Sequence, residues 1–284
     1  MCFGASVVAT RFAVAETKPI SLAFLRYTIA CALLLPVMWQ VARAAMPRRD
    51  VIAIGMLGVI FFGVFPWTFS ASLTHSPSAR VAVELATMPL LTLLISRLRG
   101  YDKITASKLV GHLLAFVGLV IALRPAAAHA IDPASTVWMG DILAGITAVC
   151  GAVYNVFSRP YLKRYPPLHV TTLSMYAGLL FLAPFAAANG VFSAAPVFTG
   201  TAWLALIFLG TLGGAFGFAL WIWALQRSTP SRVAVFIALN PMTAITLGVL
   251  LLHEPVTAPF LIGFAMVIAG IIFANRSPAA ERAE

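Results

Sequence analysis

One carboxylate, Glu84, lies well inside a long apolar run, in the stretch SPSARVAVELATMP from Ser76 to Pro89. An acid in hydrocarbon is costly unless it faces a cavity or a partner, so its position marks it for binding or ion coupling. Arg80 stands four residues earlier, at the spacing of a helical ion pair. Two readings fit: a local pair that satisfies the acid, or an oriented site that meets substrate or a coupling proton. The amides Asn155 and Asn240 sit among apolar neighbours, where such groups either bridge helices, at about 0.6 kcal/mol each, or contact substrate. Asn240 precedes Pro241, whose ring removes a helix hydrogen bond and frees a carbonyl. Trp67 and Phe69, with Trp221 and Trp223, supply rings either to interfacial belts or to an apolar cavity whose ring faces also attract cations. Met88 and Tyr154 complete the predicted lining. Arg11, close to the end of its run, either snorkels to the interface or offers a guanidinium fork to a substrate carboxylate. Arg26, about seven residues from the end of its run, is read as snorkelling to the interface.

Other chemistries find no residues. The chain has no G-x4-GK[ST] loop for ATP, its five histidines have no metal spacing, and no acidic cluster stands at a helix end to hold magnesium. Cys2, Cys31 and Cys150 read as small apolar residues. No catalytic residue, metal or cofactor is assigned, and a membrane-embedded lipid-modifying enzyme is the alternative from another class.

The elements that must position these side chains follow from composition. The 284 residues are 61% hydrophobic and 10% charged, with mean hydropathy +0.95, far from the roughly 45–50% apolar and 25% charged of soluble domains. About 20 apolar residues span the hydrocarbon core as a helix. Ten such runs can be read: 1–15, 20–41, 51–73, 76–96, 105–123, 137–157, 168–188, 201–225, 233–252 and 257–274. The fold class is thus an all-α polytopic membrane protein with ten helices. The net charge of +10 reflects topology, since 14 of the 19 Lys and Arg residues fall in the loops and tail on one side if both termini are cytoplasmic. Nucleic-acid binding is not needed to explain it. The expected location is the inner membrane, multi-pass, and the lipid bilayer and a small-molecule substrate are the expected partners.

SPSARVAVELATMP returns as STPSRVAVFIALNP at Ser228 to Pro241, an offset of 152. At that offset Gly58 falls on Gly210, Ala82 on Ala234, Gly111 on Gly263 and Gly118 on Gly270, and Glu84 falls on Phe236. Upstream the offset is 148, pairing Cys2 with Cys150, Arg11 with Arg159 and Pro36 with Pro184. The halves are 1–125 and 137–276, with a linker at 126–136 and a tail at 277–284. Five helices per half is an odd number, so the second half enters the membrane inverted. Inverted repeats are the architecture of alternating-access transporters. Pro36, Pro89, Pro184 and Pro241 are the hinge candidates. Only Met1 precedes Cys2, so the first span is about 11 residues shorter than its counterpart, roughly 16 Å, and is expected to be completed upstream. One chain supplies a full set of spans, and a monomer is expected.

The segments FGASVVATRFAV, LAFLRYTIACALLLP and TPSRVAVFIALNPMTAITLGVLLLHEPVTAPFLIGFAMVIAGIIFA resemble the EamA-type permeases of the drug/metabolite transporter superfamily. Glu254-Pro255, with Gly263 and Gly270 seven apart, matches the family's pattern; the first half departs from it, with Asp102 in place of the glutamate. The resemblance implies a ten-helix exporter with a cavity lined mainly by helices 1, 3, 4, 6, 8 and 9. It points to the YddG-like subgroup that exports aromatic and neutral amino acids, with drug or other metabolite efflux as the alternative.

Overall fold

The computed structural model describes residues 5–6, 9–10, 13–14, 16–43, 46–76, 81, 84–101, 104–127, 137–192, 198–240, 242–243 and 258–275. Helices account for nearly all of them. They are α1 (Pro19–Leu33), α2 (Leu35–Arg43), α3 (Arg48–His75), α4 (Met88–Leu98), α5 (Ala106–Ala127), α6 (Val137–Phe157, with a further turn at Arg159–Leu162), α7 (Pro167–Ala188), α8 (Gly200–Arg227), α9 (Pro230–Ala234, continuing as a 3-10 turn, Val235–Ala238) and α10 (Ala258–Asn275). Residues 5–6, 9–10 and 13–14 are helical parts of the first predicted span.

Among the described residues, α3, the Val137–Leu162 stretch, α7 and α8 are each long and apolar enough to cross a membrane, and α1 with α2 make a bent fifth. Hydrocarbon leaves no water for backbone groups, so a chain this apolar closes its hydrogen bonds within helices. Proline opens α1 and α7, where a missing N–H costs nothing. Glycine closes α4 and α7. Gly100 and Gly190 adopt φ of 72° and 83°, and the residue after each donates its N–H back to the helix, Tyr101 to the Ser96 carbonyl at 2.9 Å and Val191 to that of Ala186 at 3.2 Å.

Repeat-related positions take the same structure. α3 and α8 are 28 residues each, begin and end 152 positions apart, and each carries a π-helical segment, Val59–Val64 and Thr211–Phe216, at that same offset. Close contacts recur in the same way. A Cβ on Gly58 would meet the Ser174 backbone, and a Cβ on Gly210 would meet the Arg26 carbonyl at 2.9 Å; Ser174 and Arg26 are themselves repeat partners at offset 148. α5 and α10 pack antiparallel at the distance only small residues permit. A Cβ on Gly270 would lie 2.6 Å from the Gly111 carbonyl, and one on Gly118 would lie 2.8 Å from that of Gly263. Exchanging the two halves converts each of these contacts into the other.

The prolines of the second and seventh predicted spans behave differently. Pro36 follows a 67° bend between α1 and α2, with Leu34 leaving the helical conformation at φ −89°, ψ 4°. Pro184 stands inside an unbroken α7, four residues from its end, where little helix remains to be displaced. Pro89 opens α4 just after a turn at Ala86 and Thr87. Pro241 lies outside the described residues.

Candidate functional site

The helices leave a cavity of about 150 Å³. Its wall is aromatic and aliphatic: Tyr27 from α1, Phe61, Phe65, Phe69 and Leu73 from α3, Val81, Leu85 and Met88 around the start of α4, Leu119 from α5, Phe218 and Trp221 from α8, and Ile237 from α9. Four further polar side chains complete it, Ser6, Thr10, Arg26 and Asn240. Both halves contribute. Compared with the spans expected from the resemblance, the second (α1) and the fifth (α5) are additions, the first contributes through Ser6 and Thr10, and among the described residues α6 supplies no wall.

The rings are locked against one another. Phe61 stacks on Tyr154 at 4.3 Å and 10°, and meets Phe218 edge-on at 5.6 Å and 85°. Phe62 packs edge-on against Tyr27 at 5.6 Å and Phe218 at 4.9 Å. Offset and edge-to-face pairs at these distances are the favourable ring geometries. Phe61 and Phe62 belong to the π-helical segment of α3, so its wider turn helps to aim them. Such local π segments in helices frequently accompany functional sites.

The predicted site residues divide into three groups. Met88, Trp221 and Asn240 line the cavity. Asn155 and Tyr154 are fully buried in α6, one layer behind it. Asn155 Oδ1 accepts the Trp221 indole N–H at 3.0 Å and so orients a wall residue, while its Nδ2 is buried without a hydrogen-bond partner. The Tyr154 hydroxyl donates to Ser174 Oγ at 3.4 Å, and its ring backs Phe61. Trp67 and Glu84 are not on the wall. Trp67 is 36% exposed on the flank of α3, its ring 5.6 Å from that of Phe185 on α7. Glu84 is half-buried beside the turn before α4, where its carbonyl accepts the Thr87 hydroxyl at 2.6 Å. Arg11 and Arg80 lie outside the described residues.

Arg26 departs from its sequence reading. It is 9% exposed, lines the cavity, and its Nε has no hydrogen-bond partner. The reason is rotation of α1 about its axis, which an apolar run does not reveal. Phe61 and Phe218 were also missed, because nothing distinguishes one phenylalanine of a uniformly apolar span from the next.

Two polar clusters lie where loops meet helix starts. At the start of α3, buried Asp50 accepts the Tyr165 hydroxyl at 2.5 Å and pairs with Arg164 at 3.5 Å. That bond needs the phenol's proton, so it pushes the Tyr165 pKa up. At the start of α8, Glu16 accepts the Thr199 N–H at 2.9 Å and its hydroxyl at 2.7 Å, which holds the Glu16 carboxyl below its ordinary range. Glu16 and Arg164 are repeat partners at offset 148, as are the starts of α3 and α8 at 152.

Among the described residues no group of three or more His, Cys, Asp and Glu side chains could hold a metal ion. The described wall is an aromatic chamber with isolated polar groups, suited to binding a small molecule.

An uncharacterised transporter from Archaeoglobus fulgidus is 27% identical over 277 residues, covering 96% of this chain and 95% of that protein. A probable terminal-alkyne amino-acid exporter from Streptantibioticus cattleyicolor is 29% identical over 241 residues, covering 84% and 78%. A solved crystal structure superposes with a TM-score of 0.78 at 21% identity, covering 96% of this chain and 92% of its own, a likeness of fold. The model of the EamA-like transporter family matches residues 1–124 and 138–276. The chain therefore belongs to the EamA-like transporter family, within the drug/metabolite transporter superfamily, and its work is transport rather than catalysis.

Proposed function

We propose that this transporter exports small amphipathic metabolites, aromatic and neutral amino acids foremost, across the cytoplasmic membrane. Residues 1–125 and 137–276 act as two inverted five-helix repeats joined by 126–136, with both termini and the tail 277–284 in the cytoplasm. The observation that carries this reading is the aromatic cavity to which both halves contribute, with Arg26 and Asn240 as isolated polar groups on its wall. Rings hold apolar or aromatic side chains by area and attract an ammonium by their faces, and a few placed polar groups orient the backbone end of an amino acid. The exchange relation between Gly58–Ser174 and Gly210–Arg26, and between Gly111–Gly270 and Gly118–Gly263, supports halves that can trade conformations. The S. cattleyicolor relative supports amino acids as the first substrates to test.

Transport is facilitated diffusion in this reading, because Glu84 stands off the described cavity wall. The test is uptake of labelled amino acids, as a panel, into liposomes containing the purified protein, with and without a pH gradient. Saturable uptake of aromatic or aliphatic members without a gradient is expected. Absence of uptake under either condition sends the search to drugs and other metabolites. Glu84→Gln should leave uptake intact, and its complete loss in a folded, inserted variant would overturn the facilitator reading.

A further inference from the structure

A guanidinium buried in an apolar chamber requires an explanation. Arginine does not shed its proton in proteins, so a buried arginine must find counter-charge and hydrogen-bond acceptors or bear a large desolvation penalty. Arg26, in the middle of α1, is more than nine-tenths buried, and its Nε meets no acceptor. The contact its charge does make is with the Tyr27 ring, 5.1 Å from Cζ to the centroid. No aspartate or glutamate is among the described residues of the wall around it. The Thr10 hydroxyl nearby is spent on the Ser6 carbonyl at 2.7 Å.

The repeat shows that this cation is no requirement of the fold. Its partner in the second half is Ser174, which is fully buried away from the cavity, where its hydroxyl accepts from Tyr154 and donates to the Ile54 carbonyl at 3.5 Å. The same place in the architecture is thus filled by a small neutral residue in one half and by a charged one in the other. The two halves therefore bring different polar chemistry to the chamber wall, a cation on α1 from the first and the Asn240 amide from the second.

We propose that Arg26 is the anion site of the chamber and that the transported molecule carries one carboxylate on an apolar body. This deepens the transport reading above and rests on it. The planar fork of arginine matches the two oxygens of a carboxylate. A single guanidinium balances a single charge, so a monocarboxylate fits where a phosphate dianion would keep an unbalanced charge. Phe61, Phe65, Phe69 and Trp221 then take the apolar body. With the anion held on α1, the body reaches toward α3 and α8, which orients the substrate between the halves.

The test is binding to the full-length protein in detergent, followed by thermal stabilisation and tryptophan fluorescence, with L-phenylalanine, L-leucine and 3-phenylpropionate each against its primary amide. A charge-assisted hydrogen bond predicts that the acids bind roughly 10- to 100-fold more tightly than the amides. Arg26→Gln should abolish that preference, and Arg26→Lys, which keeps charge without the fork, should retain part of it. The proposal falls if amides bind as well as acids, if none of the acids binds, or if folded Arg26→Gln keeps the preference. Should the glutamine variant not fold, a full wild-type preference in Arg26→Lys overturns the proposal and a reduced one supports it. Flux of the same compounds in liposomes separates the two readings. Acid-selective binding without flux leaves the anion site standing and removes the transport assignment for these compounds, whereas flux with no acid preference does the reverse.

Discussion

Asn155→Leu should barely change stability while weakening substrate affinity. Asn155 is fully buried, which would ordinarily make it a residue the fold depends on. Its hydrogen bonding is only half complete, however, with Oδ1 accepting the Trp221 N–H at 3.0 Å and Nδ2 unpartnered. Losing the Trp221 bond costs about 0.5–1.5 kcal/mol, and removing a buried orphan donor returns about 1–3 kcal/mol. Leucine branches at the same atom with as many side-chain heavy atoms, so no cavity opens, but its bulkier methyl groups add about 1–3 kcal/mol of overpacking. At mid-range these effects leave a net cost of about 1 kcal/mol, equivalent to a Tm change of roughly 2–4 °C for a chain of this size. The indole of Trp221 is then no longer fixed on the cavity wall. A membrane-buried hydrogen bond of this kind is worth about 0.6 kcal/mol on average and up to about 1.7, which corresponds to a three- to roughly twentyfold rise in the apparent KM. Thermal unfolding in detergent and concentration-dependent uptake in liposomes measure the two quantities on the same preparation. A large fall in Tm with unchanged KM would refute the reasoning, because it would make Asn155 a structural support with no bearing on the chamber.

The two tryptophans chosen from sequence should separate: Trp67→Ala should leave uptake close to wild type, since its ring rests on Phe185 outside the cavity, whereas Trp221→Ala should raise KM. Gly270→Leu should destabilise by about 1–3 kcal/mol or more through overpacking, because a Cβ there lies 2.6 Å from both the Ala115 nitrogen and the Gly111 carbonyl; an undiminished Tm would count against the close α5–α10 contact. The carboxyl of Glu16 has a folded pKa held below 4.5 by Thr199, so its contribution to stability is full above 4.5 and is lost as pH falls through the lower folded value. Glu16→Gln should flatten that acid limb slightly, the group being exposed. Tyr165 has the opposite sign: its raised pKa gives a contribution that is full below 10 and is lost as pH rises through the folded value. Tyr165→Phe should remove that alkaline dependence from Tm measured against pH.

Membership of a polytopic transporter family was legible from the residues, for physical reasons. Runs of about 20 apolar residues have few stable arrangements other than membrane helices, and the phrase at Ser76–Pro89 that recurs at Ser228–Pro241 reports a duplication directly. The glycines that this offset pairs, Gly111 with Gly263 and Gly118 with Gly270, lie where α5 and α10 meet, a contact that the spacing by itself did not announce.

What the sequence could not convey is direction. A helix that is apolar all round carries no periodic signal for which side faces a cavity, a neighbour or lipid. Trp67 and Trp221 therefore looked equivalent, yet one rests on the flank against Phe185 and the other lines the chamber. Asn155 read equally as a helix bridge or a substrate contact, and packing set it one layer back, bridging to the Trp221 indole. Proline at 36 and 184 was the same local instruction; a 67° bend precedes the first and the helix around the second runs unbroken, since the rest of the bundle and the remaining length of helix decide whether a missing hydrogen bond becomes a break. Arg26 is the sharpest case. Distance along the chain placed it near a membrane surface, and only the rotation of α1 against its neighbours turned its charge inward, onto the wall of the described cavity.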